Sequence, residues 1–316
     1  MARLKFGIIS TIALLVTALV VFPLGTSQGA AKKPRIAVFI SYRSPPFDEV
    51  SEGFQKYLSK QGLSADYDLC PLEGDSAKAG QTVQRIKSNK PDLIFALGSL
   101  AVESTIKEVG DTPVIAGMIL RPDLLKKAPN GTGVFLEFPA EMHLKWLQRF
   151  LPNSKTIGVI YNPKENREKI ESAGILAQKL GMTLQARSVD TPQGLPTALN
   201  GLVRQVDVLW GVPDSLVLNT QTAKQVLLFS FRNLIPFAGL SSTWVKAGAL
   251  YSLVSDYTDN GAQCGEIAFK LLQGAKASSI PPGPPRKVVY SLNLNTAKHM
   301  KINIPEELLR GAHQRF

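Results

Sequence analysis

Lys155-Thr-Ile-Gly-Val-Ile-Tyr161 and Arg35-Ile-Ala-Val-Phe-Ile-Ser41 are the two stretches whose reading decides the fold. Each is a short apolar run of the kind that forms a strand buried on both faces. Each is followed by a helical segment and then a turn glycine. After the first run, Phe47, Val50, Phe54, Tyr57 and Leu58 recur at helical spacing, and Gly62 stands where a helix C-terminus favours glycine. After the second, the pattern predicts a helix from about Lys164 to Leu180, and Gln178-Lys-Leu-Gly-Met182 echoes Ser59-Lys-Gln-Gly-Leu63. From strand to turn glycine the interval is 26 residues in one half (Ile36 to Gly62) and 24 in the other (Ile157 to Gly181). The chain restarts its own pattern at its middle.

Working outward, Ala65 to Cys70 alternates like a strand and Ala77 to Ser88 like an amphipathic helix. Asp92 to Leu97, a helix after Gly98, and Pro113 to Met118 extend the series. In the second half, Asp207 to Val212 is the matching apolar strand. Repeated strand–helix–strand units imply parallel sheets with helices on both sides. The fold class is therefore α/β, with two Rossmann-like lobes. Asn130-Gly-Thr-Gly133 leads into a short strand, Val134 to Phe138, placed between the lobes. Later come a strand from Ala249 to Val254, a helix from Asn260 to Leu272, a stiff loop at Pro281-Pro-Gly-Pro-Pro285 and a strand from Lys287 to Leu292. The expected division is lobe one at 34–136 plus 249–279, and lobe two at 137–248 plus 280–316. Several crossings between two lobes make a clamshell, and ligands of open parallel sheets lie beyond the carboxyl ends of the strands.

The N-terminus bears on compartment. Arg3 and Lys5 precede an uncharged stretch from Phe6 to Leu24, and the small residues Gly29, Ala30 and Ala31 follow it. That is the order of an export signal, so residues 1–31 are expected to be a cleaved signal peptide and the mature protein periplasmic. An uncleaved membrane anchor is the alternative, since the apolar stretch approaches bilayer-spanning length. No Cys lies near the cleavage zone, which argues against a lipid anchor. The net charge of +11 comes from scattered Lys and Arg, many beside acids, as in Lys164-Glu165-Asn166-Arg167-Glu168-Lys169. Such runs are solvated faces, so nucleic acid is not an expected partner; anionic lipid headgroups suit such a surface. Cys70 and Cys264 are the only cysteines. They read as two buried small apolar side chains, with a disulfide as the alternative. His143, His299 and His313 are solitary, which excludes a metal site of ordinary ligand spacing. No cofactor fingerprint or nucleophile motif occurs either.

Candidate ligand-binding residues are those just past the strands. After the first strand come Tyr42, Arg43 and Phe47; the two aromatics suit stacking on a ligand or packing at the cleft edge. After the third come Gly98, Ser99 and Leu100, opening a helix whose free backbone N–H groups suit an anion, or which Ser99 simply caps. Leu120 and Arg121 follow the fourth, and Arg121 is placed to meet either an anionic ligand or a surface carboxylate. In the second lobe Asp214 and Ser215, Ser241, and Asp256 hold the corresponding places. Asp214 would hold a ligand amine or hydroxyl, or cap the next helix.

Taken together and in order, several stretches carry a family resemblance. They are Lys90-Pro-Asp-Leu-Ile-Phe-Ala-Leu-Gly-Ser99, Thr112-Pro-Val-Ile115, Asn130-Gly-Thr-Gly-Val134 and Phe150-Leu-Pro-Asn-Ser-Lys-Thr-Ile-Gly-Val-Ile-Tyr-Asn-Pro163. Gly248-Ala-Leu250, Asp256-Tyr257, Gly261 and Lys270-Leu-Leu-Gln-Gly274 complete them. The mature chain resembles solute-binding proteins of ABC transporters, in the branch with the type I periplasmic-binding fold that includes aromatic amino-acid uptake proteins. The resemblance implies a multi-strand hinge, a small organic ligand held between the lobes, a membrane permease as partner, a monomer, no cofactor and no catalysis. The chain departs from that pattern at Leu120-Arg121, at Phe135-Leu-Glu137 after Thr-Gly-Val, and at Pro213-Asp-Ser215. Glu137 thereby joins the candidate site, and an acidic or aromatic organic anion joins amino acids as a candidate ligand. A sensory module of the same build, or a secreted α/β enzyme, are the alternatives.

Overall fold

The computed structural model describes residues 32–106, 108–120, 122–125 and 128–316. The expected signal peptide and Arg121 lie outside the described residues. Residues 33–316 form one compact unit. It holds two sheets. The first is β1 (Arg35–Ile40), β2 (Asp66–Pro71), β3 (Leu93–Leu97), β4 (Val114–Ile119) and β5 (Gly131–Phe135), in the order β2-β1-β3-β4-β5 and parallel throughout. Its helices are α1 (Pro45–Lys60), α2 (Ser76–Asn89) and α3 (Ser99–Ile106).

The chain then passes into the second lobe. There α4 (Ala140–Phe150), β6 (Thr156–Tyr161), α5 (Pro163–Lys179), β7 (Thr183–Ser188), α6 (Leu195–Asn200) and β8 (Val208–Trp210) follow in turn. Next come α7 (Ala223–Asn233), β9 (Phe237–Gly239), α8 (Ser242–Lys246) and β10 (Tyr251–Ser255). Helix α9 (Tyr257–Leu272) returns to the first lobe. The chain ends with β11 (Val288–Leu292), α10 (Leu294–His299), α11 (Glu306–Gly311) and β12 (Gln314–Arg315) in the second. The second sheet runs β12-β11-β10-β9-β8-β6-β7, antiparallel only between β10 and β11.

Three expectations change. The strand at 251–255 belongs to the second sheet, not the first lobe, because it continues the ladder of β9: Leu250 donates to the Phe237 carbonyl and Tyr251 pairs with Ala238. The return to lobe one therefore follows Ser255 rather than preceding Ala249. The short strand expected between the lobes is instead β5, the edge of the first sheet, and it begins at Gly131. Residues 280–283 also stay with that edge: Thr132 donates to the Ile280 carbonyl at 2.7 Å, and Gly283 exchanges backbone bonds with Gly133 and Phe135.

Each sheet is buried on both faces, as its apolar runs require. One face of the first packs β1, β3 and β4 against α1 and α9 around Phe54 and Phe95, whose rings stack at 4.1 Å. Burying each such ring is worth roughly 1.5–3 kcal/mol. α1 and α9 approach closely because Gly53 and Gly261 lack side chains; a Cβ on Gly261 would overlap the Val50 carbonyl oxygen. Cys264 is buried in this core and Cys70 on the opposite face of the sheet, and both are free thiols, so there is no disulfide. Burial pushes both thiols up, Cys70 to about 11 and Cys264 to about 12. The second sheet is covered in the same way, with Phe150 stacked on Tyr251 at 4.0 Å on one face and Phe237 against Trp244 on the other.

The described chain crosses between the lobes at three places, residues 136–139, 255–257 and 283–288. They lie side by side. Phe135 donates to the Gly283 carbonyl at 2.9 Å and Asp256 to that of Lys287 at 3.1 Å. Arg286 grips α9 through a paired contact with Asp259 (3.0 and 3.1 Å) and one to Glu266 at 3.1 Å. The junction is thus a short hydrogen-bonded ribbon, a form that can flex as a hinge while each lobe stays rigid. Among the described residues no helix is long and apolar enough to cross a membrane.

Candidate functional site

The carboxyl ends of β1, β9 and β10 meet around a cavity of about 430 Å³ between the lobes. Pro45, Pro46 and Glu49, from the first turns of α1, form its lobe-one wall. Ser241 and Ser242 after β9, Ser255 and Asp256 at the end of β10, and His313 near the C-terminus form the other. The hydroxyl of Ser255 is buried and has no hydrogen-bond partner in the structure, an arrangement that costs free energy unless something occupies the site. Ser241 occupies the N-cap position of α8 without using its side chain to cap, so its hydroxyl is also available. Asp256 caps α9 through the Asp259 N–H at 3.0 Å and pairs with Lys287 at 2.5 Å. Burial opposes its ionisation, but these bonds hold its carboxyl below the usual range.

Two predicted residues, Ser241 and Asp256, therefore line this cavity. The other predicted residues that are described do not line it. Arg43 is exposed just before α1, with no acidic partner among the described residues. Tyr42 is 56% exposed and lies over Gly74 at the rim of lobe one. Phe47 is half-buried in the core of α1 and touches the position a Cβ on Gly98 would take.

Gly98 takes a backbone that favours glycine. Its φ is +89°, and a Cβ there would lie 2.6 Å from the Ser41 hydroxyl. That hydroxyl accepts the Ala101 N–H at 3.0 Å, so it occupies one donor of the α3 N-terminus. The N–H groups of Ser99 and Leu100 remain for a ligand, and the Ser99 side chain is exposed while Leu100 packs against the core behind it. Leu120 is 50% exposed at the end of β4.

In the second lobe the acids are engaged internally. Asp214 is buried. It accepts the N–H of Asn162 at 2.6 Å and the Asn166 amide at 2.9 Å on one oxygen, and the N–H groups of Leu216 and Val217 at 3.0 and 2.9 Å on the other. With four donors on one carboxylate, it caps the turn that follows β8 and ties it to α5. That is the capping role weighed for it, not a free ligand group. Ser215 bonds Glu165 through both its hydroxyl and its N–H, which lowers the Glu165 pKa. Glu137, on the first crossing, pairs with Lys169 from α5. Burial lowers the Lys169 pKa to about 8, against the opposing pull of Asp214.

Sequence reasoning missed Glu49, Ser255, His313 and Lys169. Ser255 was within reach, being the residue before the singled-out Asp256. Lys169 sits in a run that reads as a solvated face, and only tertiary contact brings it to Glu137. His143 is no ligand group; it packs between Phe138 and Trp210, and burial lowers its pKa to about 4. A groove of similar size, about 460 Å³, lies between α6 and α7. It is lined by one lobe alone, so closure cannot enclose it. No group of three or more potential metal ligands occurs among the described residues.

Comparison with known proteins adds identity to this geometry. The family described as ABC transporter substrate binding protein matches residues 35–316. The tyrosine-binding protein of Clostridioides difficile is 25% identical over 280 residues, covering 84% of this chain and 81% of that protein. Among solved structures, an ABC domain in complex with L-Trp from Streptococcus pneumonia is 25% identical, with a TM-score of 0.62, over 90% of this chain and all of that one. The ligand-free, open structure of a substrate binding protein with adhesive properties from Clostridium difficile is 24% identical, with a TM-score of 0.74, over 89% of this chain and 98% of that one.

Proposed function

The chain belongs to the family of ABC transporter substrate binding proteins, and we propose that it captures a small amino acid or organic anion with an aromatic part, in the cleft, by hinge closure. The observation that carries this reading is the cavity of about 430 Å³ walled by both lobes, with a buried and unpartnered Ser255 hydroxyl in its wall. Its size is that of small-molecule sites. Arg43 and the Ser99 and Leu100 N–H groups suit a carboxylate; Glu49 suits an ammonium; Tyr42 and Leu120 give exposed apolar surface for a ring. Tyrosine and L-Trp, the ligands for which two of the similar proteins are named, combine those three features.

Closure follows from where the contacts lie. A solute touching both walls gains its full set of contacts only when the lobes come together, so binding shifts the population toward the closed form. A permease in the membrane then reads the closed form, and the protein works outside the cytoplasmic membrane as an exported, monomeric, non-catalytic carrier. Mass spectrometry of ligand released from freshly purified, denatured protein tests this, followed by calorimetry with L-tyrosine and L-tryptophan. Recovery of a solute without an aromatic ring, together with no heat from either amino acid, would overturn the ligand class.

A further inference from the structure

The end of the second lobe farthest from the cleft carries a surface that ligand capture does not use. α7 ends there, and the chain turns at Leu234 into β9, whose other end opens on the cleft. α10 starts at the same end, after Leu292, which pairs with Tyr251 at the beginning of β10. Leu228 (39% exposed), Phe231 (45%) and Leu234 (55%) stand out along α7 and its cap. The Phe231 ring stacks flat on the His299 imidazole, with centroids 3.7 Å apart, so the two helices share one face.

Two observations set this face apart. Leu234 holds a left-handed backbone, φ 54°, while exposed. Glycine or asparagine takes that conformation at lower cost, so this leucine is unfavourable for the backbone and for solubility alike. The second observation is charge. No Asp or Glu occurs from residue 215 to 255 or from 267 to 305, while those stretches hold nine Lys and Arg. Lys224, Arg232, Lys298 and Lys301 are exposed along α7 and on either side of His299. None of them pairs with a carboxylate among the described residues.

Apolar side chains among unpaired cations repel a second copy of the same face. Nor can this face report closure, since it lies on one lobe. What it complements is negative charge lying over hydrocarbon, the interface of an anionic bilayer. We propose that α7, its Leu234 cap and α10 dock the protein on anionic lipid headgroups. Docked this way the protein is held at the membrane while its cleft stays open to solute.

The test uses protein beginning at Lys33, the compact unit that carries all the cores. It is sedimented with vesicles of phosphatidylcholine alone and of phosphatidylcholine mixed with phosphatidylglycerol. Binding is expected only to the mixed vesicles and should weaken as salt rises. Lys298→Gln with Lys301→Gln should lower partitioning about thirtyfold, each cation counting for roughly fivefold. Leu234→Asn should also lower it while leaving the thermal midpoint equal or higher, because asparagine accepts the left-handed cap. Three results would overturn the proposal: no binding to the mixed vesicles at low salt, binding unchanged by both variants, or a concentration-dependent dimer abolished by Leu234→Asn, which would assign the face to a second copy.

Discussion

Replacing Asp214 by alanine separates the two roles open to that residue. The carboxylate accepts four hydrogen bonds, two on each oxygen, between 2.6 and 3.0 Å. A bond to a charged acceptor is worth about 1.5–3 kcal/mol, and an orphaned buried donor costs about 1–3. The four do not add in full, because Leu216 is only partly buried and its N–H can turn to water. The Asn162 N–H and the Asn166 amide lie on the inner side and have no such recourse. A net loss of about 3–5 kcal/mol follows, the range seen when one partner of a buried charged cluster is removed. For a domain of this size that is a fall in Tm of about 6–20 °C. Asp214→Asn should lose less, since an amide keeps one acceptor oxygen but sets its NH₂ against two donors. Urea unfolding followed by circular dichroism, with calorimetry on the same samples, reads both quantities. If Asp214→Ala unfolds within about 0.5 kcal/mol of the parent, yet no longer binds the parent's ligand, the carboxylate serves the ligand and the internal bonds are incidental.

His143 gives the pH prediction. Its folded pKa of about 4 lies below the ordinary 6.5 because burial disfavours the imidazolium. Between those values the unfolded chain binds the proton and the folded one does not, so stability falls as pH drops from about 6.5 to 4, by up to about 3 kcal/mol. His143→Gln should flatten that slope in a series of unfolding curves across this range. Gly261→Ala gains helix propensity but drives a methyl into the Val50 carbonyl, so α1 and α9 must separate; a net loss of about 1–3 kcal/mol is expected in chemical unfolding. Closure predicts a smaller radius of gyration in X-ray scattering with saturating ligand than without, and an unchanged radius with calorimetrically proven saturation would argue against a hinge.

The alternation of apolar runs and amphipathic segments made both lobes legible in the sequence, because a strand buried on both faces leaves few alternatives to an unbroken apolar stretch. What it could not assign was the sheet to which an isolated strand belongs. Tyr251–Ser255 reads the same whether it extends one sheet or the other, and only its register with Phe237–Gly239 places it. The candidate site divides along a similar line. Gly98 was legible as the start of a helix, but not its left-handed backbone, which follows from how closely the Ser41 hydroxyl approaches it. Asp214 was legible as important but not as internal, since a carboxylate past a strand end serves a turn as well as a ligand. Lys169 was not legible at all, because its charge is used by Glu137, which lies 32 positions earlier in the chain.

This division of charge has a consequence for the order of binding. On the second-lobe side of the cleft, Asp214, Glu165 and Asp256, with the Glu137–Lys169 pair at the first crossing, are all held by partners within the protein. On the first-lobe side, Arg43 and Glu49 have no ionic partner among the described residues, and the Ser99 and Leu100 N–H groups stand at the start of α3. A charged solute therefore meets unpaired charged groups on lobe one and, on lobe two, carboxylates that already have partners. It should bind first to lobe one, with the second lobe adding hydroxyls and shape on closure. Arg43→Ala then weakens the first encounter, and a charge-assisted bond of about 1.5–3 kcal/mol corresponds to a tenfold to over hundredfold loss in affinity. Ser255→Ala should act later: it leaves the initial association rate with L-tyrosine or L-tryptophan near that of the parent and raises the dissociation rate. Stopped-flow fluorescence distinguishes the two. If Arg43→Ala changes only dissociation and Ser255→Ala only association, the solute enters through the second lobe and this order is reversed.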